Sequence, residues 1–498
     1  MHPKINIILN LFEQINAIPR CSQQEARLRQ WLQQWADQHH FSYQTDIVGN
    51  LCLRIPATTT ADHAPTVILQ AHLDMVCEKT ADSSHDFNHD AIRCLREGDW
   101  LHADKTTLGA DNGIGLALAL ALASDSTVVH PPLELLFTVE EESGLTGASG
   151  ISPDLLTGNI LINLDSEEEG VLINGCAGGR NSYLSIPLHR EPIAANQIGL
   201  QIEVSGLQGG HSGIDINKHL ANANQLLART LQALQPVESW QLVQIQGGTV
   251  HNAIARYAQA WLTCPPTAVA TIQAIIANFN TVIKNEFAAT EPAVLITTKL
   301  LTAEDRLTAA LTVQQSRHLM HLLLALPHGV IATLPSYDTL VETSCNLAVI
   351  TTQADQIAIL ISQRSSVYSR LEELTNRINA IAALAGIEVT TTDLYPAWQP
   401  NLASPLLAHC QTVYHSLFGQ EPAVQVIHAG LETGIIGNRY PQMDMISLGP
   451  TIYNPHSPDE RLFIPSVGKV WDFLTALLQV LSTNRNTLEQ SDNLPEGV

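Results

Sequence analysis

The chain has 498 residues, and its composition excludes several classes of protein. At roughly 100–200 residues per domain, this length predicts two or three domains and excludes a small fold held together by disulfides. With 25 Lys and Arg against 48 Asp and Glu, the formal net charge is −23, so the surface repels nucleic-acid backbones and anionic lipid. Hydrophobic residues make up 45% of the chain, enough for a packed core. We therefore expect a folded soluble protein, with no nucleic acid and no membrane among its partners.

The cysteines and the N-terminus bear on the compartment. Eight cysteines are scattered singly, with no CxxC pair, so we predict free thiols in a reducing environment, at Cys21, Cys52, Cys77, Cys94, Cys176, Cys264, Cys345 and Cys410. No export signal is visible, because Asn10, Glu13 and Gln14 interrupt the first apolar residues. The longest near-continuous apolar run, Ile114 to Ala123, is shorter than the roughly 20 residues of a membrane span. These features predict a cytoplasmic protein.

In chain order, the first predicted element is an amphipathic helix. Ser22 and Glu25 have the spacing of a capping box, and large apolar residues follow at helical intervals from Leu28 to Trp35. Three short apolar runs then predict buried strands, with a helix at 113–124 between the first two, at 66–70, 133–139 and 159–164. Strands that alternate with helices predict a mostly parallel sheet with helices on both faces, an α/β fold.

From about residue 200 the pattern changes to alternating polar and apolar residues. Strands at 200–206, 242–248 and 347–353, mixed with helices at 217–235 and 366–385, predict an α+β domain with an antiparallel sheet. After Pro396 the first pattern returns, with a helix at 405–418, strands at 423–427 and 443–448, and a long helix after Pro465. We therefore predict a first domain formed by residues 1–190 and 398–498, interrupted by an inserted domain at 191–397. The polar tail from 484 to 498 is predicted to fray.

Histidine and acidic residues follow the predicted parallel strands. His72 and Asp74 lie two apart after the first strand, so their side chains point to the same side of an extended segment. Asp111 opens the apolar helix, where it is either a helix cap or a carboxylate that bridges two cations. The run from Glu140 to Glu142 is either a solvated turn or part of a cation site. Asp165 is another acidic residue directly after a predicted strand. Because the carboxyl ends of parallel strands share one edge of a sheet, this recurrence predicts a metal site there.

The predicted ligand set indicates a class of chemistry. Oxygen and imidazole ligands without thiolate suit Zn, Mn or Co, and two metals that share a carboxylate polarise a carbonyl or phosphoryl group. Water bound to such a metal has a lowered pKa, and a neighbouring glutamate can take its proton. The sequence contains no GxSxG, GxxxxGK[ST], HExxH or GxGxxG motif, which disfavours serine hydrolases and nucleotide-binding proteins. A metal-dependent hydrolase is the predicted class.

Five ordered segments carry a resemblance to a known family. AHLDMV (71–76), GADNGIG (109–115), EEESGLTGA (140–148), NLDSEE (163–168) and IYNPHSPDE (452–460) resemble motifs of the co-catalytic zinc peptidases, which include aminoacylase, carboxypeptidase G and succinyl-diaminopimelate desuccinylase. The resemblance runs from the N-terminal helix to about Gly468 in one order and spacing. It implies a catalytic domain with an inserted lid and dimerisation domain, two divalent metal ions, most often zinc, and a homodimer.

Carried over by position, the resemblance implies a role for each motif residue. One metal would be held by His72 and Asp165, the other by Glu142 and His456, with Asp111 between them. Glu141 would be the general base, and Asp74 would orient His72. The family usually has aspartate where this chain has Glu140; we place the catalytic pair at 141 and 142 because Ser143 and Gly144 then occupy the family's small-residue and glycine positions. Aspartate at 165 is typical of family members with aminopeptidase or dipeptidase activity, whereas the carboxypeptidase and aminoacylase branches tend to have glutamate there.

Residues with implied roles in substrate binding lie later in the chain. His211, in GGHSG, matches a histidine that stabilises the oxyanion, and Asn252, in GGTVHNAIAR, matches an asparagine that contacts the substrate. Arg364, in SQRSS, resembles an arginine that binds the substrate's terminal carboxylate, and Gly430, in HAGLE, would line the same pocket. Each also has a plain structural explanation, as a turn residue or, for Arg364, a surface ion pair. His428 receives no role.

Together these features predict a two-metal hydrolase that cleaves dipeptides through a metal-bridging water activated by Glu141. The implied substrates are Xaa-His peptides of the carnosine type and other unblocked dipeptides. An amidohydrolase of N-acyl amino acids is the alternative within the same class, and a metal-binding scaffold without activity is the alternative outside it.

Overall fold

The computed structural model describes residues 2–58, 64–237, 239–302, 307–334, 337–392 and 395–483. The chain separates into two compact units: the first contains Met1–Cys176, Trp398–Val426 and Leu431–Val498, and the second contains Ala177–Ala397 and Ile427–Gly430. The second unit thus begins at Ala177, earlier than the boundary of 190/191 placed from the sequence. The reason is that the strand Gly178–Pro187 pairs along its length with Gln356–Ser365 in that unit. The tail predicted to fray lies outside the described residues.

The first unit is built on a mixed sheet. Within the described residues its strands lie in the order Ser42–Thr45, Leu51–Ile55, Leu133–Thr138, Val67–His72, Ile160–Asn163, Asp444–Ser447, Val171–Cys176 and Ala423–Ile427. The four central strands are parallel, and the pairs formed by the first three strands of this order are antiparallel. All residues of Val67–His72 are buried, as expected for a strand covered on both faces. The α/β prediction for this part of the chain is confirmed.

Helices cover this sheet, and the first of them precedes the helix predicted from the sequence. The described helices are Ile5–Asn16, Ala26–Gln38, Ala110–Ser124, Thr146–Ser149, Pro405–Phe418, Glu432–Arg439 and Ile464–Thr483. The predicted capping box is wrong, since no side chain caps the helix that begins at Ala26. The Ser22 hydroxyl instead donates to Asp74 Oδ2 at 2.7 Å, and Glu25 Oε1 accepts the backbone N–H groups of Gln23 and Glu140.

A small antiparallel sheet also belongs to the first unit. Its strands lie in the order Ile452–Tyr453, Arg461–Phe463, Trp100–Ala103 and Cys94–Glu97. The segment 454–460, which contains His456, connects the first two of these strands. Pairing of Leu462 with Leu101 therefore anchors a loop from the end of the chain beside residues from its first quarter.

The second unit contains a long antiparallel sheet. Within the described residues its order is Leu295–Leu300, Ile198–Ser205, Ala258–Cys264, Gln241–Gly247, Tyr337–Thr352, Gln356–Ser365, Gly178–Pro187 and Glu388–Thr391, with Gly329–Leu334 also paired to Tyr337–Thr352. Two short pairs accompany it, Arg190–Pro192 with Ala309–Leu311 and Gly210–His211 with Ala253–Ile254. The helices are Ala223–Ala233, Pro266–Glu286, Val313–Ala325 and Tyr368–Leu384. Antiparallel strands mixed with helices agree with the α+β prediction.

The structure corrects the prediction of eight free thiols. Cys21 and Cys77 form a disulfide with a Cα–Cα distance of 5.8 Å, whereas Cys52, Cys94, Cys176, Cys264, Cys345 and Cys410 are free. The two cysteines are 56 residues apart in sequence. Backbone pairing of Cys21 with Met75, an isolated parallel β-bridge, brings their two segments together. The spacing of the cysteines in the sequence therefore did not reveal this disulfide, because the two cysteines meet only in the folded chain.

Among the described residues, two helices are long and apolar enough to cross a membrane when judged by length and composition alone. Ile464–Thr483 buries Val467, Leu474 and Leu478 in the core of the first unit. Pro266–Glu286 turns Ile272, Ile276 and Ile283 towards the core of the second unit. Core helices of soluble proteins pass the same test, so two such helices are weak evidence for a membrane span.

Candidate metal centre

The seven residues predicted to form the metal site all lie in the first unit, and the fold explains why they meet. His72 ends the strand Val67–His72, which pairs in parallel register with strands on both sides. Glu141 and Glu142 follow the strand on one side, and Asp165 follows the strand on the other. The carboxyl ends of these parallel strands point to the same edge, so short loops suffice to bring the side chains together.

The imidazoles and carboxylates converge on two neighbouring positions. His72 Nε2 lies 3.0 Å from Asp111 Oδ1 and 3.4 Å from Asp165 Oδ1. On the other side, His456 Nε2 lies 3.0 Å from Asp111 Oδ2 and 3.0 Å from Glu142 Oε2. Each oxygen of Asp111 thus faces a different histidine, which is the arrangement a bridging ligand requires.

The donor set fits divalent cations. Ligand atoms of His72, Asp111 and Asp165 lie within 4.8 Å of one another, as do those of Asp111, Glu142 and His456. The Oε1 atom of Glu142 is buried without a hydrogen-bond partner. Buried carboxylates that face one another are costly unless a cation is present. Imidazole and carboxylate donors without thiolate suit zinc, manganese or cobalt.

Electrostatics at the cluster reflect this crowding of acids. Burial, with the charge of Asp111, raises the pKa of Asp165 to about 6. Burial also raises the pKa of Glu141 well above its usual value, and the charges of Asp165, Glu432 and Glu142 add to the effect. For Asp111, burial opposes ionisation, but hydrogen bonds with His456 and His72 outweigh it and lower the pKa. A group that must accept a proton near neutral pH benefits from an environment like that of Glu141.

Asp74 connects the histidine to the glutamate turn. Its buried carboxylate accepts the backbone N–H of Glu141 at 3.0 Å, the N–H of Glu142 at 3.1 Å and the Ser22 hydroxyl. His72 Nδ1 lies 3.4 Å from Asp74 Oδ1 and 3.1 Å from the Asp74 carbonyl oxygen, so Nδ1 carries the proton and Nε2 faces the cluster. Burial of Asp74 favours its neutral form, but the His72, Ser22 and backbone hydrogen bonds outweigh burial and lower its pKa to about 2.

A buried polar network behind the ligands was not predicted from the sequence. Glu432 Oε2 accepts from Gln70 Nε2 at 2.6 Å and from the Thr138 hydroxyl at 2.7 Å. Gln70 Oε1 in turn accepts from Asn163 Nδ2 at 2.5 Å. Gln70 lies two residues before His72 on the same strand, so the two side chains point to the same side, and Asn163 lies two residues before Asp165. In the sequence, the only sign of this network is the presence of polar residues within otherwise apolar strands.

Two further buried residues hold the loops of the site. Arg20 donates to the carbonyl oxygens of Leu73, Asp74 and Gly109 at 3.1, 2.8 and 2.6 Å. Glu460 accepts from the backbone N–H groups of residues 108–111. Neither received a role from the sequence, although Glu460 closes the IYNPHSPDE segment.

The four residues predicted to bind substrate belong to the second unit. His211 lies in the short strand Gly210–His211, and its Nδ1 accepts the backbone N–H groups of Gly213 and Ile214 at 3.2 and 3.1 Å. Burial and the charge of Arg364 lower the pKa of His211 to about 4. The neutral ring therefore carries its proton on Nε2, so Nε2 can donate a hydrogen bond. His211 and Asn252 both line a cavity of about 840 Å³.

Arg364 and Gly430 lie elsewhere in the same unit. Arg364 is 7% exposed, its Nη1 donates to the Tyr395 hydroxyl at 3.0 Å, and its Nε is buried without a partner. A surface ion pair is therefore the wrong structural explanation for Arg364. Gly430 ends the short segment Ile427–Gly430. In that segment His428 Nε2 lies 2.7 Å from the Ser344 hydroxyl, and burial with the charge of Arg364 lowers the pKa of His428 to about 3.

Known proteins resemble this chain over most of its length. The sequence profile of peptidase family M20/M25/M40 matches residues 68–480. The cytosol non-specific dipeptidase of Escherichia coli is 40% identical over 470 residues, which cover 94% of this chain and 96% of that protein. The crystal structure of aminoacylhistidine dipeptidase from Vibrio alginolyticus superimposes with a TM-score of 0.87 at 36% identity, covering 96% of each chain. An aminopeptidase from Bacillus cereus, at 14% identity and a TM-score of 0.55, shares the fold.

Proposed function

The chain belongs to peptidase family M20/M25/M40, and from that premise we propose that it is a metal-dependent dipeptidase. The observation that carries the proposal is the pair of imidazoles that face opposite oxygens of Asp111. Two relatives of similar length are named as dipeptidases: a cytosol non-specific dipeptidase and an aminoacylhistidine dipeptidase. Xaa-His peptides and other unblocked dipeptides are therefore the proposed substrates.

The metal ligands follow the sequence assignment. His72 and Asp165 would hold one divalent ion, Glu142 and His456 the other, and Asp111 both. We propose zinc, because its preferred ligands are imidazole nitrogen and carboxylate oxygen; manganese and cobalt accept the same donors. When bound, two such ions supply Lewis acidity that polarises a peptide carbonyl and activates water.

Residues of the chain would then move the protons and hold the substrate. Glu141, whose pKa burial raises, takes the proton of the attacking water and returns it to the leaving amine. Asp74 keeps His72 in the required tautomer and orients the backbone of Glu141. His211, neutral with its proton on Nε2, supplies a donor for the developing oxyanion.

We assign substrate recognition to the second unit. Arg364 presents a buried guanidinium with an unpartnered Nε, which suits a planar carboxylate such as the C-terminus of a dipeptide. Asn252, which lines the same cavity as His211, and Gly430 would contact the rest of the peptide. We further propose a cytoplasmic homodimer joined through this unit. The name of the Escherichia coli relative and the resemblance to a lid and dimerisation domain support that assignment.

The experiment that tests the proposal compares Glu141→Gln with Glu140→Gln. Each variant removes one carboxylate from the same turn, but only Glu141 belongs to a candidate ligand group. Glu141→Gln should lower kcat for dipeptides by roughly 10²–10⁴-fold while the protein keeps its metal. Glu140→Gln should retain most activity. Equal activity of both variants, or loss only in Glu140→Gln, refutes the assignment of the base.

The substrate class is tested with a peptide panel. Release of amino acids is measured from β-Ala-His, Gly-His, Leu-Gly, a tripeptide and an acetyl-amino acid, with chelator and with added Zn²⁺ or Mn²⁺. Chelator-sensitive cleavage of dipeptides is the expected result. Cleavage of the acetyl-amino acid alone would indicate an amidohydrolase, and a metal-loaded protein that cleaves none of them would indicate a scaffold.

A further inference from the structure

Glu460 makes an unusual set of contacts beside the candidate metal centre. Its side chain is 1% exposed. Oε2 accepts the backbone N–H groups of Leu108 and Gly109 at 2.7 and 3.0 Å, and Oε1 accepts those of Ala110 and Asp111 at 2.8 and 3.3 Å. One carboxylate therefore holds four consecutive amides, the last of which belongs to the proposed bridging residue.

The same carboxylate joins two segments that are distant in sequence. Glu460 lies four residues after His456, and its bond to the Asp111 amide spans 349 residues of chain. His456 Nε2 itself lies 3.0 Å from Asp111 Oδ2. The distance between His456 and Asp111 thus depends on how Glu460 positions the backbone of residues 108–111.

Arg20 holds the same loop through a backbone carbonyl. Its guanidinium donates to Gly109 O at 2.6 Å and also to the carbonyl oxygens of Leu73 and Asp74. The backbone at Gly109 is therefore held through its N–H by Glu460 and through its carbonyl by Arg20. Gly109 has φ +68°, and a Cβ atom there would lie 2.5 Å from Arg20 Nη2, so this close approach requires glycine.

We propose that Glu460 is a positioning residue for the metal centre, which seats Asp111 so that both of its oxygens reach a metal. The proposal rests on the proposed function, because it assumes that Asp111 bridges two ions. Four charge-assisted hydrogen bonds donated to one buried carboxylate form a rigid support, whereas Gln at this position offers one acceptor oxygen and turns an NH₂ group towards backbone donors. The variant Glu460→Gln should therefore loosen Asp111 without removing any ligand.

A matched control exists in the same unit. Glu134 is 2% exposed and also accepts consecutive backbone N–H groups, those of Thr157 and Gly158 at 3.0–3.1 Å. It lies on the strand Leu133–Thr138, near the end opposite to Glu141. Glu134→Gln removes a buried, amide-binding carboxylate far along that strand from the ligands, so it measures the structural cost of such a change away from the metal centre.

The test measures metal binding directly on the full-length protein. Metal-free wild type, Glu460→Gln and Glu134→Gln are titrated with Zn²⁺ against a chromophoric chelator, and with Co²⁺ while its visible absorption is recorded. Thermal unfolding of the metal-free forms gives the structural effect of each change. We expect Glu460→Gln to lose roughly 10–100-fold in affinity for at least one ion and to alter the Co²⁺ spectrum. Glu134→Gln should bind both ions like wild type.

The outcomes separate this inference from the proposed function. A wild type that binds no metal or cleaves no dipeptide refutes the proposed function. A wild type that does both, together with a Glu460→Gln variant of unchanged affinity and spectrum, overturns the inference; so does an equal loss in Glu134→Gln. If Glu460→Gln does not fold, Glu460→Asp, which keeps the charge on a shorter side chain, replaces it, and wild-type affinity in that variant has the same meaning.

Discussion

Replacing Asp74 by Asn tests how far one buried carboxylate organises the metal centre. The change removes the charge and leaves a single acceptor oxygen for three donors, the N–H groups of Glu141 and Glu142 and the hydroxyl of Ser22. A pKa lowered from 3.8 to about 2 corresponds to about 2 kcal/mol of stability supplied by the ionised form. We expect metal-free Asp74→Asn to lose a similar amount at neutral pH and to bind Zn²⁺ roughly 10–100-fold more weakly.

The sign of the pH dependence follows from the lowered pKa. The ionised Asp74 stabilises the fold above its unfolded-state pKa of 3.8, and this contribution is lost as the pH falls towards 2. The difference in unfolding free energy between wild type and Asp74→Asn should thus be constant from pH 5 to 8 and shrink below pH 4.

Denaturant unfolding of the metal-free protein and chelator competition for Zn²⁺ are the assays for Asp74→Asn. Asp82→Asn is the matched control, because Asp82 is an exposed carboxylate paired with Lys105, and its loss should leave stability nearly unchanged. Equal stability and equal Zn²⁺ affinity for wild type and Asp74→Asn would refute the reasoning.

Three further predictions concern the disulfide, the substrate carboxylate and a buried histidine. Reduction of Cys21–Cys77 should lower the stability of wild type by about 2–4 kcal/mol, seen as a lower Tm, whereas a Cys21→Ser/Cys77→Ser double variant should not respond to reductant. Arg364→Lys keeps the charge but loses the planar fork, so KM for dipeptides should rise at least about tenfold with metal affinity unchanged; an unchanged KM contradicts the assignment. Because burial and Arg364 lower the pKa of His428 from 6.5 to about 3, folding stability should fall as the pH drops below 6.5, and thermal unfolding of His428→Gln should show less of this loss. A pH dependence identical in both proteins would contradict it.

Local patterns in the sequence predicted the elements that frame the site. The apolar runs at 66–70, 133–139 and 159–164 correspond to the strands Val67–His72, Leu133–Thr138 and Ile160–Asn163, within one or two residues at each end. Continuous burial makes these runs uniformly apolar, and acidic residues directly after them are conspicuous. The meeting of His72, Asp165 and the glutamate turn could therefore be predicted from the shared edge of parallel strands, whereas His456 was assigned only through the family resemblance.

Features that depend on distant partners were missed or predicted wrongly. Ser22 resembled a helix cap, but its hydroxyl donates to Asp74, 52 residues away. Cys21 and Cys77 pair because the fold brings their segments together, and spacing gave no sign of it. Glu460 accepts a hydrogen bond from the backbone N–H of Leu108, which lies 352 residues away in sequence. Its role therefore depends on tertiary contacts that no local sequence pattern contains.

The long span between Asp111 and His456 also bears on how the protein is made. These two side chains meet across 345 residues, and the central strand Asp444–Ser447 likewise pairs with a strand far earlier in the chain, Ile160–Asn163. The second unit is nearly continuous in sequence, so its long sheet can form while the first unit still lacks its C-terminal strand and helices. Closure of so large a loop is slow compared with local folding. A nascent chain therefore acquires a complete set of ligands only after His456 has been synthesised and has docked beside Asp111, and retention of metal would report that docking.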